Sequence, residues 1–405
     1  MLLRKSIIFA AIITSKNDAN KEVNRVIRLR IKKITSKCMR AIWIWQQADW
    51  PHFYWDDSEI ISKLSRVRMK QGMLLGELNG LGFEIQRNAS LEAITEDVIR
   101  SSEIEGVFLD PARVRSSVAS RLGLETQGLP TPDHYTEGIV EAMLDAVYNA
   151  NEPLTKERLC GWHASLFPTG RSGMYQITVA DYRKGEAPMQ IVSGAFGHER
   201  VHYEAPTSAV VPAEMEKFLG WVNEESNIDS VLKAAVAHLW FVAIHPFDDG
   251  NGRLTRTITD MLLSRADGQK TRFYSMSAEI MRRRNSYYDA LQRTNTGNLC
   301  ITDWLSWFLE TMEAAIDGSY EVVDRVKKKA VFWQKNNGLA LNERQIKILN
   351  RLFEGFEGKL TTSKYAKITH NSQATALRDI QDLVEKGLLT KTDSGGRSSS
   401  YELAE

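Results

Sequence analysis

VLKAAVAHLWFVAI, residues 231–244, runs directly into HPFDDGNGRLTR, residues 245–256. The first string is apolar on nearly every side and reads as a central, buried helix. The second packs a histidine, two aspartates, a Gly-Asn-Gly turn and two arginines into twelve positions. Pro246 disfavours helical geometry at His245, which is expected in extended or turn backbone at the helix end. Gly250 and Gly252 open backbone angles closed to other residues, and a further helix starts there. The first amides of that helix lack internal partners, so together with the dipole they form an anion site. Arg253 and Arg256, three apart, lie on neighbouring positions of one face beside it. Asp249, at the rim, has the chemistry to hold Mg²⁺ against phosphate oxygens. His245 is the local group able to accept a proton near neutral pH. Anion cradle, metal carboxylate and base together describe a nucleotide-phosphate transfer site. Each part also has an ordinary use: a histidine at a helix end is commonly structural, Arg256 can pair with Asp260, and the glycines can form a plain turn.

Every specified position of the string resembles the Fic family signature, His-Pro-Phe-x-Asp/Glu-Gly-Asn-Gly-Arg-x-x-Arg. The resemblance implies a helical enzyme that transfers a nucleotide monophosphate, usually AMP from ATP, onto a protein hydroxyl, with ATP as substrate and Mg²⁺ as cofactor. It implies that His245 is the general base toward a target Ser, Thr or Tyr and that Asp249 binds Mg²⁺. It assigns Gly250, Asn251 and Gly252 to the α-phosphate region, Arg253 to phosphate charge and Arg256 to the γ-phosphate. The short β-like runs Met189–Val192 and Val201–Tyr203, joined through SGAFGHER, read as a hairpin. They lie where the family has a flap that positions the target by strand pairing, which makes Met189, Gln190, Ile191 and Val192 the docking candidates. The fold resemblance covers roughly 135–310.

Upstream, SSEIEG (101–106) closes a helix expected from Ser90, as N-cap, to Glu105, with Leu91, Ile94, Val98 and Ile99 as its apolar stripe and Gly106 as its stop. Glu103 and Glu105 fall in its last turn, where the dipole disfavours negative charge by about 0.3–1 kcal/mol. A solvated helix end is the ordinary reading of such a pair. The family's inhibitory motif, Ser/Thr-x-x-x-Glu-Gly/Asn, is matched by Ser101, Glu105 and Gly106. That match implies a cis-inhibited class in which Glu105 pairs with Arg256 and blocks the γ-phosphate. In some relatives the same glutamate is thought to assist AMP removal.

The 405 residues are long enough for two or three domains, and 52 Lys/Arg against 51 Asp/Glu give no global drive toward nucleic acid or membrane. Residues 1–40 hold eleven Lys/Arg and two Asp/Glu. Their apolar run Ile7–Ile13 outlines a signal peptide but is too short to span a bilayer and lacks a small-x-small site. We read 1–38 as a basic extension before an effective start at Met39. Cys38, Cys160 and Cys300 are scattered without CxxC spacing, which fits a reducing cytoplasm rather than a disulfide or zinc framework.

Helical periodicity dominates, giving a mainly α fold: an N-terminal helical region at 39–125, a Fic-type core with a β-hairpin flap at 126–318, a polar helical connector at 319–340 and a C-terminal domain at 341–405. Helices are expected at 135–150, 155–166, 209–225, 230–244, 252–265, 280–293 and 301–317, after a linker at 123–134. WIWQQADWPHFYWD (43–56) carries four tryptophans in fourteen residues. Such a cluster serves as a binding surface or, more commonly, as a packed segment. The C-terminal order of helix, short helix, helix and hairpin matches a winged helix. Its third helix would offer Ser372, Gln373, Thr375 and Arg378 to DNA, with Lys391 and Arg397 on the wing. Winged helices also bind proteins or dimerise. The partners so implied are ATP, a hydroxyl-bearing target protein or the chain itself, a second copy and DNA, with no membrane. UMP, phosphocholine or phosphoryl transfer, AMP removal, and a nucleotide-sensing regulator remain open alternatives.

Overall fold

The computed structural model describes residues 43–404, other than 194–197, 199, 270–271, 354–355, 357 and 393–398. The expectations for 1–38, Met39, most of the SGAFGHER turn and Arg397 lie outside these residues. After a short 3₁₀ turn at Ile44–Gln46 come α1 (Asp57–Asn79), α2 (Phe83–Ile104) and α3 (Pro111–Arg121). The helix expected from Ser90 begins seven residues earlier. Gly80 and Gly82, either side of Leu81, end α1 and cap α2, while Ser90 is fully buried inside the helix. Gly106 does stop α2, at φ 77°. Its N–H bonds Glu103 O at 2.9 Å and the next N–H, from Val107, bonds Ser102 O at 3.0 Å, a Schellman ending. Asp110 then caps α3 with Pro111 at its first position.

Next follow α4 (His134–Tyr148) and α5 (Lys156–Leu166), then two β-hairpins. The smaller, β1 (Arg171–Ser172) with β2 (Tyr175–Gln176), turns at Gly173 and was not signalled by any alternation of apolar residues. The larger pairs β3 (Gln190–Ser193) with β4 (Arg200–Glu204), Gln190 facing Glu204 and Ile191 facing Tyr203. The core continues with α6 (Val211–Asn223), α7 (Ser230–Ile244), α8 (Asn251–Asp267), α9 (Met276–Arg282), α10 (Arg284–Asn295) and α11 (Thr302–Lys335). The helix expected at 280–293 is thus divided at Arg283. The one expected at 301–317 continues through the connector, because Ile316, Ser319, Val323 and Val326 extend its buried stripe.

Thirteen of the fifteen residues of α7 are buried, so neighbours surround it on all sides. It packs against α8, and α2 packs against α9, α3, α11 and α4. One hydrophobic core joins these elements, from Val67 on α1 to Ile316 on α11. The C-terminal block has its own core, including Ile348, Leu349, Tyr365, Ile380 and Leu383. Its elements are α12 (Glu343–Phe353), β5 (Leu360–Thr361), α13 (Thr362–Thr369), α14 (Gln373–Glu385), β6 (Leu389–Thr392) and β7 (Ser400–Leu403), with the strands ordered β5-β7-β6. No described helix is long and apolar enough to cross a membrane.

Candidate active site

The end of α7 and the start of α8 define the site. His245 caps α7 not in extended backbone but in the left-handed region, at φ 51° and ψ 59°. That conformation is uncommon for a residue with a side chain and persists only where its surroundings hold it. Here Arg183 holds it: its Nε donates to His245 O at 2.8 Å, and its backbone N–H donates to Pro246 O at 2.9 Å. His245 Nδ1 lies 3.3 Å from Val242 O, so a proton there leaves Nε2 with its lone pair. Desolvation is the main force pulling this imidazole down to about 4, and the Val242 carbonyl and the Glu105 and Asp249 carboxylates oppose it. The ring is therefore neutral across the ordinary pH range.

The loop between the helices is braced from both sides. Asn251 returns its side chain to Phe247, donating to the carbonyl at 2.8 Å and accepting from the N–H at 2.9 Å. Its side chain is thus committed to loop shape, and only its backbone N–H remains for an anion. His163 on α5 stacks on Phe247 at 4.2 Å. Its Nδ1 accepts from Ala180 N at 3.2 Å, which puts the ring proton on Nε2, donated to Asp249 O at 3.1 Å. Asp249 Oδ1 accepts from Gly250 N at 2.6 Å, and Oδ2 accepts from the Ser172 hydroxyl on β1. Asp248 fixes the opposite wall by accepting from Thr178 N at 2.8 Å. Gly250 takes φ 84°, where α8 begins.

Two arginines project from the first turns of α8. Arg253 lies over the Phe167 ring at 4.9 Å and donates to Tyr135 Oη at 3.0 Å, while its buried Nε has no partner among the described residues. Arg256, 2% exposed, does not pair with Asp260, which binds Arg272 at 2.6 Å. Instead its Nε donates to Ser101 Oγ at 2.9 Å and Nη2 to Ser101 O at 2.7 Å. Nη2 also meets Glu105 Oε1 at 2.8 Å. The Glu105 carboxylate lies so close to Gly252 that a Cβ on that glycine would collide with Oε1. Glu103, the other acid of the last turn, pairs with Arg100 at 2.5 Å on the same helix. The two glutamates therefore differ: one is a local helix pair, the other reaches α8.

Of the flap candidates, Ile191 and Val192 are 38% and 46% exposed, Gln190 bonds Glu204 across the hairpin, and Met189 packs beneath. In the C-terminal block, Ser372 caps α14 by accepting from Thr375 N, which places both hydroxyls in the cap. Gln373 and Arg378 are exposed beside the apolar Leu377 and Val384. Sequence reading missed Ser172, His163, Arg183 and Tyr135. Each acts from another element, and none carries a periodic or spaced signal.

A family model described as Fic/DOC family matches residues 153–263, and one described as a domain of unknown function (DUF4172) matches 43–124. A protein adenylyltransferase Fic of Culex quinquefasciatus is 28% identical over 253 residues, covering 60% of this chain and 46% of that protein. A probable protein adenylyltransferase of Aquifex aeolicus is 30% identical over 125 residues, covering 31% of this chain and 34% of that protein. The chain thus spans under half the length of these curated relatives. Solved structures similar to it include a Fic family protein from Desulfovibrio desulfuricans, at 19% identity and TM-score 0.49, covering 87% of this chain and 97% of that one. Another is a Fic domain containing signaling protein from Bacteroides thetaiotaomicron, at 19% identity and TM-score 0.47, covering 67% and 97%. The chain carries a domain of the Fic/DOC family at residues 153–263.

Proposed function

We propose that the chain is a protein adenylyltransferase that moves AMP from ATP to a Ser, Thr or Tyr hydroxyl, and that Glu105 restrains it in cis. In this reading the first-turn amides of α8 and Arg253 take the phosphates, since an anion there meets the helix dipole and an unsatisfied guanidinium N–H. Arg256 takes the γ-phosphate once Glu105 leaves. Asp249 fits Mg²⁺: each carboxylate oxygen keeps a lone pair beyond its present bond, and Mg²⁺ commonly uses one carboxylate plus substrate phosphates. Bound there, the ion would neutralise phosphate charge. His245 Nε2 takes the proton of the acceptor hydroxyl as its oxygen bonds the α-phosphorus and pyrophosphate leaves. The flap edge at Ile191 and Val192 receives the target as an added strand.

The observation that carries the restraint is the 2.8 Å contact of Glu105 with a 2% exposed Arg256. We read the C-terminal block as a winged helix. Along α14 and its C-cap, Asp382 and Glu385 stand against Arg378 and Lys386, while Asp379 is buried and paired with Arg344. That balance does not favour a duplex, so DNA does not enter the proposed reaction. ATP labelled separately at the α- and γ-phosphates tests the transfer. Protein label from the α position alone supports it, whereas label from γ alone indicates phosphoryl transfer.

A further inference from the structure

A two-stranded hairpin is marginal by itself in water. Four of the five β4 residues, Arg200, Val201, His202 and Glu204, keep solvent contact, yet Tyr203 is 2% exposed. Its hydroxyl donates to Ala243 O at 2.6 Å, two residues before His245. The flap and the end of α7 are thereby joined at one point, within a small apolar cluster separate from the main core. That cluster is completed from the opposite end of the chain. Ile44 is fully buried in it, Trp43 sets its ring edge-on to Tyr203 at 5.4 Å, and Trp45 Nε1 donates to Glu204 O at 2.8 Å.

The same segment is tied back to the body. Trp50 Nε1 donates to Glu214 Oε2 at 2.7 Å on α6, and Trp50 and Phe53 stand edge-on to Trp240 of α7. Tyr54 exchanges backbone bonds with Leu299 and Ile301, at 3.0 and 2.9 Å. Residues 43–54 therefore form a strap from the catalytic helix to the flap. The strap lies along β4 at Glu204, and α10 meets the same strand, with His202 Nδ1 3.3 Å from Gln292 Oε1. The β3 side carries the exposed Ile191 and Val192.

We infer that Trp43, Ile44 and Trp45, which open the region matched by the domain of unknown function, are positioning residues that hold the flap against the α7 end and leave the β3 edge to an incoming strand. The inference rests on the target-docking reading of the flap. It gives that region two actions on the Fic domain, both near the loop that joins α7 to α8: Trp43–Trp45 at the flap and Glu105 at Arg256. The indole N–H of Trp45 matters because it satisfies a β4 carbonyl on the side where a target strand would otherwise compete.

The experiment uses the full chain and Trp45→Phe, which keeps an aromatic ring and removes the N–H, with Trp43→Ala as a second variant. Segment-resolved hydrogen exchange is measured over 189–204 and over α7, with Tm alongside. Loss of one hydrogen bond should speed flap exchange by about fivefold in Trp45→Phe. The account expects a larger increase in Trp43→Ala, with α7 exchange and Tm of Trp45→Phe unchanged. Unchanged flap exchange in both variants overturns the inference, and so does faster exchange spread equally over the flap and α7. Exchange needs no chemistry, so a Glu105→Gly protein that fails to transfer AMP would sink the functional reading and leave this result to stand separately.

Discussion

Glu105 Oε1 lies 2.8 Å from Arg256 Nη2, joining the last turn of α2 to the second turn of α8. Ser101, one helical turn earlier on α2, holds the same guanidinium through its hydroxyl and its carbonyl. The α2 helix thus grips Arg256 at two levels. One is a carboxylate that leaves with a change of side-chain rotamer; the other includes a backbone carbonyl that leaves only if α2 moves.

Ser101→Ala removes the bond to Nε and keeps the carbonyl bond to Nη2. The expected outcome is a partial release of AMP transfer, several-fold and smaller than that of Glu105→Gly, measured as label from α-labelled ATP. Release equal to that of Glu105→Gly would place the restraint on Ser101 rather than on the carboxylate.

Burial holds His245 down near pH 4, so the base is neutral above that pH and lost only below it. In Glu105→Gly the nearby carboxylate that raises this value is removed, which moves it further in the same direction. The acid limb of kcat/KM reports the free enzyme. It should therefore fall well below 6.5, and a limb at 6.5 or above would contradict a desolvated base. His245→Ala should abolish transfer while leaving ATP affinity within about twofold, because its ring makes no phosphate contact in this reading.

His163→Phe preserves a ring against Phe247 and deletes both the bond to the Asp249 carbonyl and the acceptor for the Ala180 N–H. A lost hydrogen bond that leaves a buried carbonyl unsatisfied costs about 1–3 kcal/mol. If that cost falls on loop geometry, kcat drops by about tenfold or more with KM for ATP little changed. An unaltered kcat would make His163 a packing residue only.

His238 is buried in α7 between Thr259 Oγ1 and Tyr287 Oη, both at 2.9 Å, and burial pulls it down to about 3. The unfolded chain takes up a proton there as pH falls through 6.5, while the folded chain does not until about pH 3. Stability from this group is therefore complete above 6.5 and is lost as pH falls through that window. The slope is about 1.4 kcal/mol per pH unit for one proton. Comparing denaturant midpoints of the wild type and His238→Gln between pH 4 and 7 checks it: the variant should show the shallower acid slope. Asp260, raised to about 8 by burial beside Arg272, acts with opposite sign in both proteins and cancels in the difference.

The two strings that define the site were legible because their chemistry is local. HPFDDGNGRLTR holds its histidine, aspartates, turn and arginines within twelve residues, and SSEIEG violates the dipole rule in plain view. Helix existence followed from periodicity, the helical connector included, whereas boundaries failed where a buried polar residue, Ser90, looked like a cap and where the 301–317 helix and the connector proved to be one continuous helix. Arg183, His163 and Ser172 were not legible. Each is a single residue in a loop, on a short strand or on a separate helix, and its purpose exists only once the fold brings it to His245 or Asp249. The tryptophans of 43–55 were visible as a cluster, but their use depended on where β4 lies.

The central claim is that Glu105 occupies the arginine that ATP needs. Its most direct measurement is protein-bound label from α-labelled ATP with Mg²⁺, for wild type and Glu105→Gly side by side at equal protein. The account predicts at least about a tenfold gain in Glu105→Gly, the effect of removing 1.4 kcal/mol from the path to productive binding. Equal labelling of the two proteins, with both folded and both binding ATP, would contradict it.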